Sequence, residues 1–196
     1  MINGVTWRIV DINYWLGTGD VDCTTPHLVV MPDEQLYTAK MNHGSTTVGG
    51  YYGSKMYKEN LQNAKNKVAA AFGETFILNH RDLLSTVTTN GYPSGGAWHD
   101  STVELPSEIM MYGSIVHIPA GQGSYIVYRY TINNTQLALM RLNPKFLNPL
   151  RQTIWLRDIG NGNTFAAVDK SRSANVYDSG YALGVRPIFG LTGGTA

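Results

Sequence analysis

The chain has 196 residues, of which 43% are hydrophobic and 15% are charged, and its formal net charge is +1. This length and apolar content allow a sizeable buried core and argue against intrinsic disorder. The near-neutral charge argues against nucleic-acid binding driven by phosphate contacts, and no apolar run approaches the roughly 18 residues that a membrane-spanning helix needs. The single cysteine, Cys23, rules out an intrachain disulfide and a zinc cluster built from cysteines.

The clearest predicted helix spans residues 54–72. Its apolar residues recur at spacings of four and three, which is typical of one buried helix face, and Gly73 is a natural stop. A second helix is predicted within residues 101–112, closed by a glycine. Residues 79–84, where an asparagine precedes a carboxylate in the first turn, are interpreted as the start of another helix.

Strands are predicted at both ends of the chain and dominate its second half. Short β-branched and aromatic runs separated by polar turns are typical of an antiparallel sheet. The predicted strands are residues 5–10, 27–31, 115–118, 126–132, 137–142, 153–159, 164–168 and 182–189. Gly160-Asn161-Gly162 predicts a hairpin turn, and residues 170–180 are interpreted as a polar excursion. The prediction is one loop-rich α+β domain over residues 1–196, with two helices packed on an antiparallel β-sheet.

Two histidine–carboxylate neighbours invite a catalytic interpretation. His99-Asp100 and His80-Arg81-Asp82 each place an imidazole beside a carboxylate, as a general base requires. Neither is accompanied by a Gly-x-Ser-x-Gly nucleophile motif, and a helix start explains the second one better. Cys23 has no cysteine partner and is interpreted as a structural residue.

Acidic residues offer two further candidate sites. Asp20 and Asp22 lie close in sequence, but two carboxylates are too few to hold a hard cation. Asp100, Glu104 and Glu108 form the one acidic cluster that a glycan hydrolase would use, since such enzymes need paired carboxylates at a defined separation. The expectation from these patterns is a non-enzymatic protein without a metal or another cofactor.

The C-terminal part of the chain carries the main features of a family resemblance. Trp155-Leu156-Arg157-Asp158 is followed, after a polar and β-type stretch, by Gly184-Val185-Arg186-Pro187-Ile188-Phe189. Together with Trp7-Arg8-Ile9-Val10 and Gly95-Gly96-Ala97-Trp98, these segments resemble a C-type-lectin-like domain family related to formylglycine-generating enzymes. Members of that family occur in virion-associated proteins of phages that infect Firmicutes. The resemblance implies a C-type-lectin-like fold and a place in the virion, which is assembled in the host cytoplasm.

Five residues of the matching segments are expected to define the fold. An indole such as that of Trp155 fills a core while its N–H finds an acceptor, and the forked donors of Arg186 suit several backbone carbonyls at once. Gly184 permits a close approach, and Pro187 suits a strand edge or bend. The predicted fold-defining residues are Trp155, Arg157, Gly184, Arg186 and Pro187.

Departures from the family pattern narrow the expected chemistry. Catalytic formylglycine-generating relatives use a pair of cysteines, whereas this chain has only Cys23. The Glu-Pro-Asn or Gln-Pro-Asp and Trp-Asn-Asp triplets of calcium-dependent lectins are absent as well. The resemblance therefore implies a C-type-lectin-like fold without cysteine-dependent catalysis and without calcium-dependent sugar binding.

In phage relatives, the segment between the tryptophan strand and the Gly-x-Arg-Pro strand is a variable surface. Asn, Tyr and Arg side chains there offer adaptable hydrogen bonds and a large contact area. The candidate ligand-binding residues in this segment are Asn161, Asn163, Arg172, Asn175, Tyr177 and Asp178, with Lys170 beside them, and Tyr128 and Arg129 are expected to join them from a neighbouring strand. The alternative that these are ordinary surface residues is equally open.

The expected function is that of a non-enzymatic bacteriophage virion surface protein, associated with the capsid or the tail, with a lectin-like face for a host receptor or glycan. Its expected partners are other virion proteins and a glycan or protein of the host cell surface. Nucleic acid and membrane insertion are not expected, and a homo-oligomer is compatible with the pattern. Two alternatives stay open, namely a purely structural decoration or fibre protein and a glycan or cell-wall hydrolase.

Overall fold

The computed structural model of the protein describes residues 1–117, 135–160 and 162–193. These residues form a mixed α/β fold in which strands outnumber helices. The strands are β1 (Trp7–Ile12), β2 (His27–Pro32), β3 (Tyr37–Lys40), β4 (His80–Thr89), β5 (Tyr92–Ser101), β6 (Val103–Glu104), β7 (Ile154–Ile159), β8 (Thr164–Val168), β9 (Ala174–Asp178), β10 (Ala182–Val185) and β11 (Ile188–Thr192). The helices are α1 (Leu61–Phe72), α2 (Glu108–Tyr112) and α3 (Ala138–Leu142), with a π-helical turn at Met56–Asn60 and 3₁₀ turns at Glu74–Phe76 and Pro144–Leu147. No helix in these ranges is long and apolar enough to cross a membrane.

The helix predicted over residues 54–72 is confirmed, although its first turn is π-helical. Leu61, Ala64 and Val68 are its buried residues, so the spacing of three and four places one face of α1 on the core. Gly73 ends the helix with a φ of 87°, a backbone conformation that glycine adopts without a steric penalty.

The second predicted helix is present as α2, which is much shorter than the predicted span. It begins at Ser107, whose hydroxyl accepts a hydrogen bond from the Met110 N–H at 3.2 Å. It ends at Gly113 in a left-handed conformation. Glu108 and the apolar residues that follow it are buried, so α2 lies inside the fold rather than on its surface.

The strands form three sheets. The first has the order β1-β2-β11-β6 and the second the order β3-β10-β7-β8-β9, while β4 and β5 form a long two-stranded ribbon. Neighbouring strands are antiparallel except for β7 and β10, which run parallel. The prediction of a purely antiparallel sheet is therefore wrong at this pair, because β10 enters the sheet beside β7 rather than by a hairpin.

The five-stranded sheet has a hydrophobic cluster on each face. Along β7, Ile154 and Leu156 belong to one cluster and Trp155 to the other. The same alternation places Ala166 of β8 in the first cluster and Phe165 in the second. Burial on both faces explains why β7 and β8 read as nearly continuous apolar runs.

Two segments adopt the opposite secondary structure from the one predicted. Residues 79–84, expected to start a helix, lead into β4, where burial alternates from His80 onward because the strand pairs with β5. Residues 137–142, expected to be a strand, form α3, because Leu137 and Met140 stand three residues apart and both reach the core.

The strands predicted at residues 5–10, 27–31, 153–159, 164–168 and 182–189 are confirmed in place, and the one at 164–168 also in extent, whereas the one at 115–118 is wrong at its described residues. Residues 153–159 and 164–168 correspond to β7 and β8, which form the predicted antiparallel hairpin. The strand predicted at 182–189 is divided into β10 and β11 by Arg186-Pro187, since proline has no N–H for a ladder.

Some elements were not predicted at all. The polar excursion at 170–180 contains β9, and the sequence signals of β3 and β6 were too short to recognise. Residues 115–117 are not in a strand, and the strand predicted at 126–132 lies outside the described residues.

Candidate functional site

Trp155 lies in the interior of the second hydrophobic cluster. It is fully buried, and its indole N–H donates to the Ala39 carbonyl of β3 at 2.9 Å. The ring therefore fills the core while its one polar atom bonds to a strand two positions away in the sheet.

Arg186 is equally enclosed and holds three backbone carbonyls. Its Nε donates to Pro32 at 2.6 Å, and its Nη1 donates to Phe146 at 3.1 Å and to Leu147 at 2.9 Å. Burial lowers the pKa of Arg186 to about 10, so the guanidinium is still charged near neutral pH. Arg186 thus ties the β10–β11 junction to the end of β2 and to the 3₁₀ turn before β7.

The three other predicted fold-defining residues lie in the same framework. An added Cβ at Gly184 would stand 2.0 Å from Gln35 Oε1, so this position needs a glycine. Pro187 is buried between β10 and β11. Arg157 of β7 forms a buried ion pair with Asp82 of β4.

Asn163 and Asp178 are brought together, and they bind each other. Asn163 Nδ2 donates to Asp178 Oδ2 at 2.7 Å, and the Ser45 hydroxyl bonds to both side chains. The hydrogen bond from Ser45 lowers the pKa of Asp178, which favours an ionised carboxylate. These two candidates hold the loop at Ser45 against the β7–β8 hairpin.

Arg172 and Asn175 are also engaged within the chain. Arg172 occupies the β8–β9 turn with a φ of 74°, and its Nε donates to the Asn148 carbonyl at 3.3 Å. Asn175 Oδ1 accepts from the Val176 N–H at 2.8 Å. Asn161, Tyr128 and Arg129, the other predicted ligand-binding residues, lie outside the described residues.

Tyr177 and Lys170 line an open groove of about 690 Å³ at one end of the five-stranded sheet. Most of its other polar side chains are uncharged amides and hydroxyls, which suit hydrogen bonding to a neutral group. They are Gln35, Thr38, Gln152, Thr153 and Ser171. Of the predicted ligand-binding residues that the structure describes, Tyr177 alone lines this groove.

The groove exists because the ladder between β7 and β10 stops after one paired position. Gly184 donates its N–H to the Thr153 carbonyl at 2.9 Å, opposite Ile154. The next position would pair Ala182 with the Arg151 carbonyl and the Thr153 N–H, but Arg151 has a φ of 54° and is not extended, so the two strands separate at this point. Asn148 fixes the same loop on its other side, where its Oδ1 accepts from the Gln152 N–H at 2.9 Å and its Nδ2 donates to the Gln152 carbonyl.

Asp169, the one carboxylate that lines the groove among the described residues, is committed to the β8–β9 turn. Its Oδ1 accepts from the Ser171 N–H at 2.8 Å, the Ser171 hydroxyl at 2.7 Å and the Ser173 N–H at 2.9 Å. This carboxylate therefore shapes the turn that carries Lys170.

The three acidic residues considered for hydrolysis occupy separate environments. Asp100 is exposed and pairs with Arg81 at 3.3 Å. Glu104 is only 2% exposed, and it accepts hydrogen bonds from the Ser101 hydroxyl and from the Tyr51 hydroxyl, the latter at 2.9 Å. Burial raises the pKa of Glu104 to about 7.

Glu108 is fully buried and serves the backbone around it. Its Oε2 accepts from the N–H groups of Val116 at 3.0 Å and His117 at 3.2 Å, and its own N–H donates to Asp158 Oδ2 at 2.6 Å. Burial and the nearby Glu108 raise the pKa of Asp158. Glu104 and Glu108 are both closed to a substrate in this conformation.

The two histidines considered for catalysis are packed against aromatic rings. His80 stacks on Trp15 with 4.2 Å between ring centroids, and His99 stacks on Tyr52 with 3.6 Å. Burial lowers the pKa of His80 to about 4, so its ring is neutral near pH 7. Cys23 is buried as well.

Side chains that could bind a metal ion do not cluster in the described part of the chain. Both carboxylate oxygens of Asp20 accept from Arg81, at 2.8 and 3.0 Å. No group of three or more His, Cys, Asp or Glu side chains converges among the described residues.

Sequence reasoning missed Asn148 and Gln152, which fix the loop beside the groove. Neither belongs to a motif, and their importance comes from two side-chain-to-backbone bonds within a loop. Comparison with known protein families, with curated proteins and with solved structures finds no match to this chain. A role for the protein therefore has to be inferred from its own residues.

Proposed function

We propose that the protein is a non-enzymatic surface protein of a bacteriophage virion, associated with the capsid or the tail. In this proposal a C-type-lectin-like framework presents the groove beside Tyr177 to a host receptor or glycan. The observation that carries the proposal is that the C-terminal segment is divided between the core and the surface. Trp155 and Arg186 are enclosed, while the chain between them supplies the edge strand β9 and one wall of the groove.

The character of the groove supports a binding role. Tyr177 is half-buried and offers a large amphipathic surface, and Lys170 is exposed at the rim. Amide and hydroxyl groups line the remainder, so a ligand would meet directional hydrogen-bonding partners.

The environments of the ionisable residues support a non-enzymatic role. Glu104 and Glu108 are enclosed in separate hydrogen-bond networks, and Asp100 faces Arg81. A hydrolase of the kind considered needs two accessible carboxylates across a substrate.

Binding to intact cells tests the proposal. Fluorescently labelled protein is incubated with a panel of Firmicutes strains, and the retained fraction is measured for the wild type, Tyr177→Ala and Tyr181→Ala. Tyr181 is the matched control, because it is 59% exposed and does not line the groove. We expect retention of the wild type and of Tyr181→Ala on at least one strain, with a strong loss for Tyr177→Ala. Absence of retention on every strain would contradict the receptor-binding role.

An exposed aliphatic row supports a second candidate, a decoration or fibre subunit that contacts its neighbours. Ile12 of the edge strand β1 lies opposite Leu28 of β2, and Leu28 in turn lies opposite Leu191 of β11. Ile12 is 64% exposed and Leu28 is 39% exposed. Such a patch is a feature of subunit interfaces. Light scattering after size exclusion tests it, because a subunit contact predicts oligomers for the wild type and monomers for Ile12→Lys.

A further inference from the structure

We propose that the groove binds an extended peptide segment, which pairs with the free edge of β10 where β7 turns away. This inference deepens the proposed binding function and rests on the use of the same groove. The backbone of Ala182 supplies the pairing groups, and Tyr177 and Leu183 supply apolar contact.

The direction of the backbone groups follows from the strand geometry. Gly184 sends its N–H toward β7, where it meets the Thr153 carbonyl. Residues two apart on a strand direct their N–H and C=O groups to the same side, so those of Ala182 also point toward β7. A continued ladder would join Ala182 to the Arg151 carbonyl and the Thr153 N–H, but Arg151 has a φ of 54° and the chain leaves the strand there. Ala182 is exposed, lines the groove and makes no backbone hydrogen bond to Arg151 or Thr153, so its donor and acceptor on this side are open to a ligand.

Asn148 fixes the loop that borders this gap. Besides its two bonds to Gln152, its Nδ2 donates to the Asp169 carbonyl at 2.6 Å. Asn148 is only 3% exposed, so this arrangement is set by the core and not by solvent. The groove is therefore a preformed break in a sheet, bounded by a strand edge on one side and the β8–β9 turn on the other.

A peptide fits this break better than other ligands do. An extended chain presents an N–H and a C=O on the same edge at the repeat of a strand, which matches the free groups of Ala182. Its alternate side chains would point toward Tyr177 and Leu183. Gln35, Thr38 and Thr153 are uncharged, so they offer a bound strand hydrogen bonds without charge, and Lys170 is the one basic residue among the described lining residues.

The probes are acetylated, fluorescein-labelled hexapeptides in which threonine alternates with valine, leucine or tyrosine. Each has a matched control peptide with N-methyl groups on its alternate residues, which removes the N–H groups on one edge. The first measurement is fluorescence anisotropy with the wild type. The second is hydrogen exchange at the Ala182 amide by NMR. We expect at least one probe to bind and to slow that exchange by about tenfold or more, and its N-methylated control to do neither.

Two variants locate the pairing at Ala182. Ala182→Pro removes the N–H that points into the groove and leaves the N–H groups that pair β10 with β3, while Ala182→Val keeps the backbone donor. We expect Ala182→Pro to weaken probe binding about tenfold, the effect of one backbone hydrogen bond, and Ala182→Val to bind like the wild type. If Ala182→Pro does not fold, the N-methylated peptides test the same bond with the wild type.

The results separate this inference from the function that it deepens. No binding by any probe, or equal binding by the N-methylated controls, overturns the peptide inference. Binding of tri-N-acetylchitotriose at Tyr177, without binding of any peptide, would also overturn the peptide inference. That result would still support the display function. Peptide binding at Ala182 without retention on any Firmicutes strain supports the inference and contradicts the display function.

Discussion

Arg157 of β7 and Asp82 of β4 form a two-pronged ion pair in the interior of the protein. Arg157 Nη2 lies 3.2 Å from Asp82 Oδ1, and Nη1 bonds to the other carboxylate oxygen. Burial alone would lower the pKa of Arg157, but the nearby carboxylates, Asp82 foremost, outweigh it and raise that pKa, so the guanidinium is charged. The pair joins the two-stranded ribbon to the five-stranded sheet, and no ladder connects the two among the described residues.

The first prediction concerns this pair. Arg157→Met or Asp82→Leu is expected to lower the free energy of unfolding by about 3 to 5 kcal/mol, because either change leaves a buried charged group without its partner. The double variant Arg157→Met/Asp82→Leu should lose less than the sum of the single variants. Urea denaturation measures all three.

The exposed pair of Arg81 and Asp20 provides the control for that experiment. Arg81→Met should change the stability little, since solvent screens surface ion pairs. Losses that are equal at the two pairs, or fully additive in the double variant, would contradict the interpretation of the buried pair.

The second prediction concerns Arg186. Arg186→Met is expected to destabilise the fold by about 3 kcal/mol or more, because three buried carbonyls lose their donor. The matched control is Arg141→Met, at an exposed position of α3. Thermal and urea unfolding measure the difference, and similar midpoints for the two variants would argue against Arg186 as a structural tie.

The third prediction concerns Glu104. Its pKa is raised by burial from 4.5 to about 7, so its contribution to stability is full below pH 4.5 and is lost as the pH rises to 7. The side chain of Glu104→Gln cannot ionise, so this variant does not lose stability in this way as the pH rises. Relative to the wild type, the variant should gain up to about 3 kcal/mol between pH 4.5 and pH 8. Urea denaturation across this range tests the slope, and a constant difference between the two proteins would refute it.

The fourth prediction concerns His80 and has the opposite sign. Burial lowers its pKa from 6.5 to about 4, so its contribution is full above pH 6.5 and is lost as the pH falls to 4. His80→Phe keeps the stack on Trp15 but cannot be protonated. The variant should therefore gain stability relative to the wild type on acidification.

The control for His80 is His43→Phe, at an exposed position on the surface. Its stability relative to the wild type should hardly change between pH 7 and pH 4, because solvent and not the core surrounds this ring. A matching gain in the two variants would show that burial of His80 is not the cause.

Periodic apolar patterns in the sequence correctly predicted those elements in which the repeat of apolar residues matches the buried face of the helix or strand. The face of α1 and the runs of β7 and β8 were identified because each buries side chains at the repeat of its own backbone. Residues 79–84 and 137–142 were predicted wrongly, because short mixed segments fit either repeat. Pairing with β5 decided the first, and packing of Met140 on the core decided the second.

The candidate site was predicted in part. Tyr177 and the neighbouring Lys170 line the groove, whereas Asn163 and Asp178 bond to each other and Arg172 bonds to the Asn148 loop. Residue type suggested which side chains are able to bind a ligand. It did not reveal which of them are already occupied by partners elsewhere in the chain.

By itself the sequence determined a mixed α/β class, the long helix, the central hairpin and a low charge, because these depend on composition and on local repeats. Tertiary structure alone decided the parallel entry of β10 beside β7, the burial of Glu104 and the three backbone carbonyls that Arg186 holds. These features arise from hydrogen bonds and burial between segments far apart in the chain. Such contacts produce no periodic pattern in the sequence.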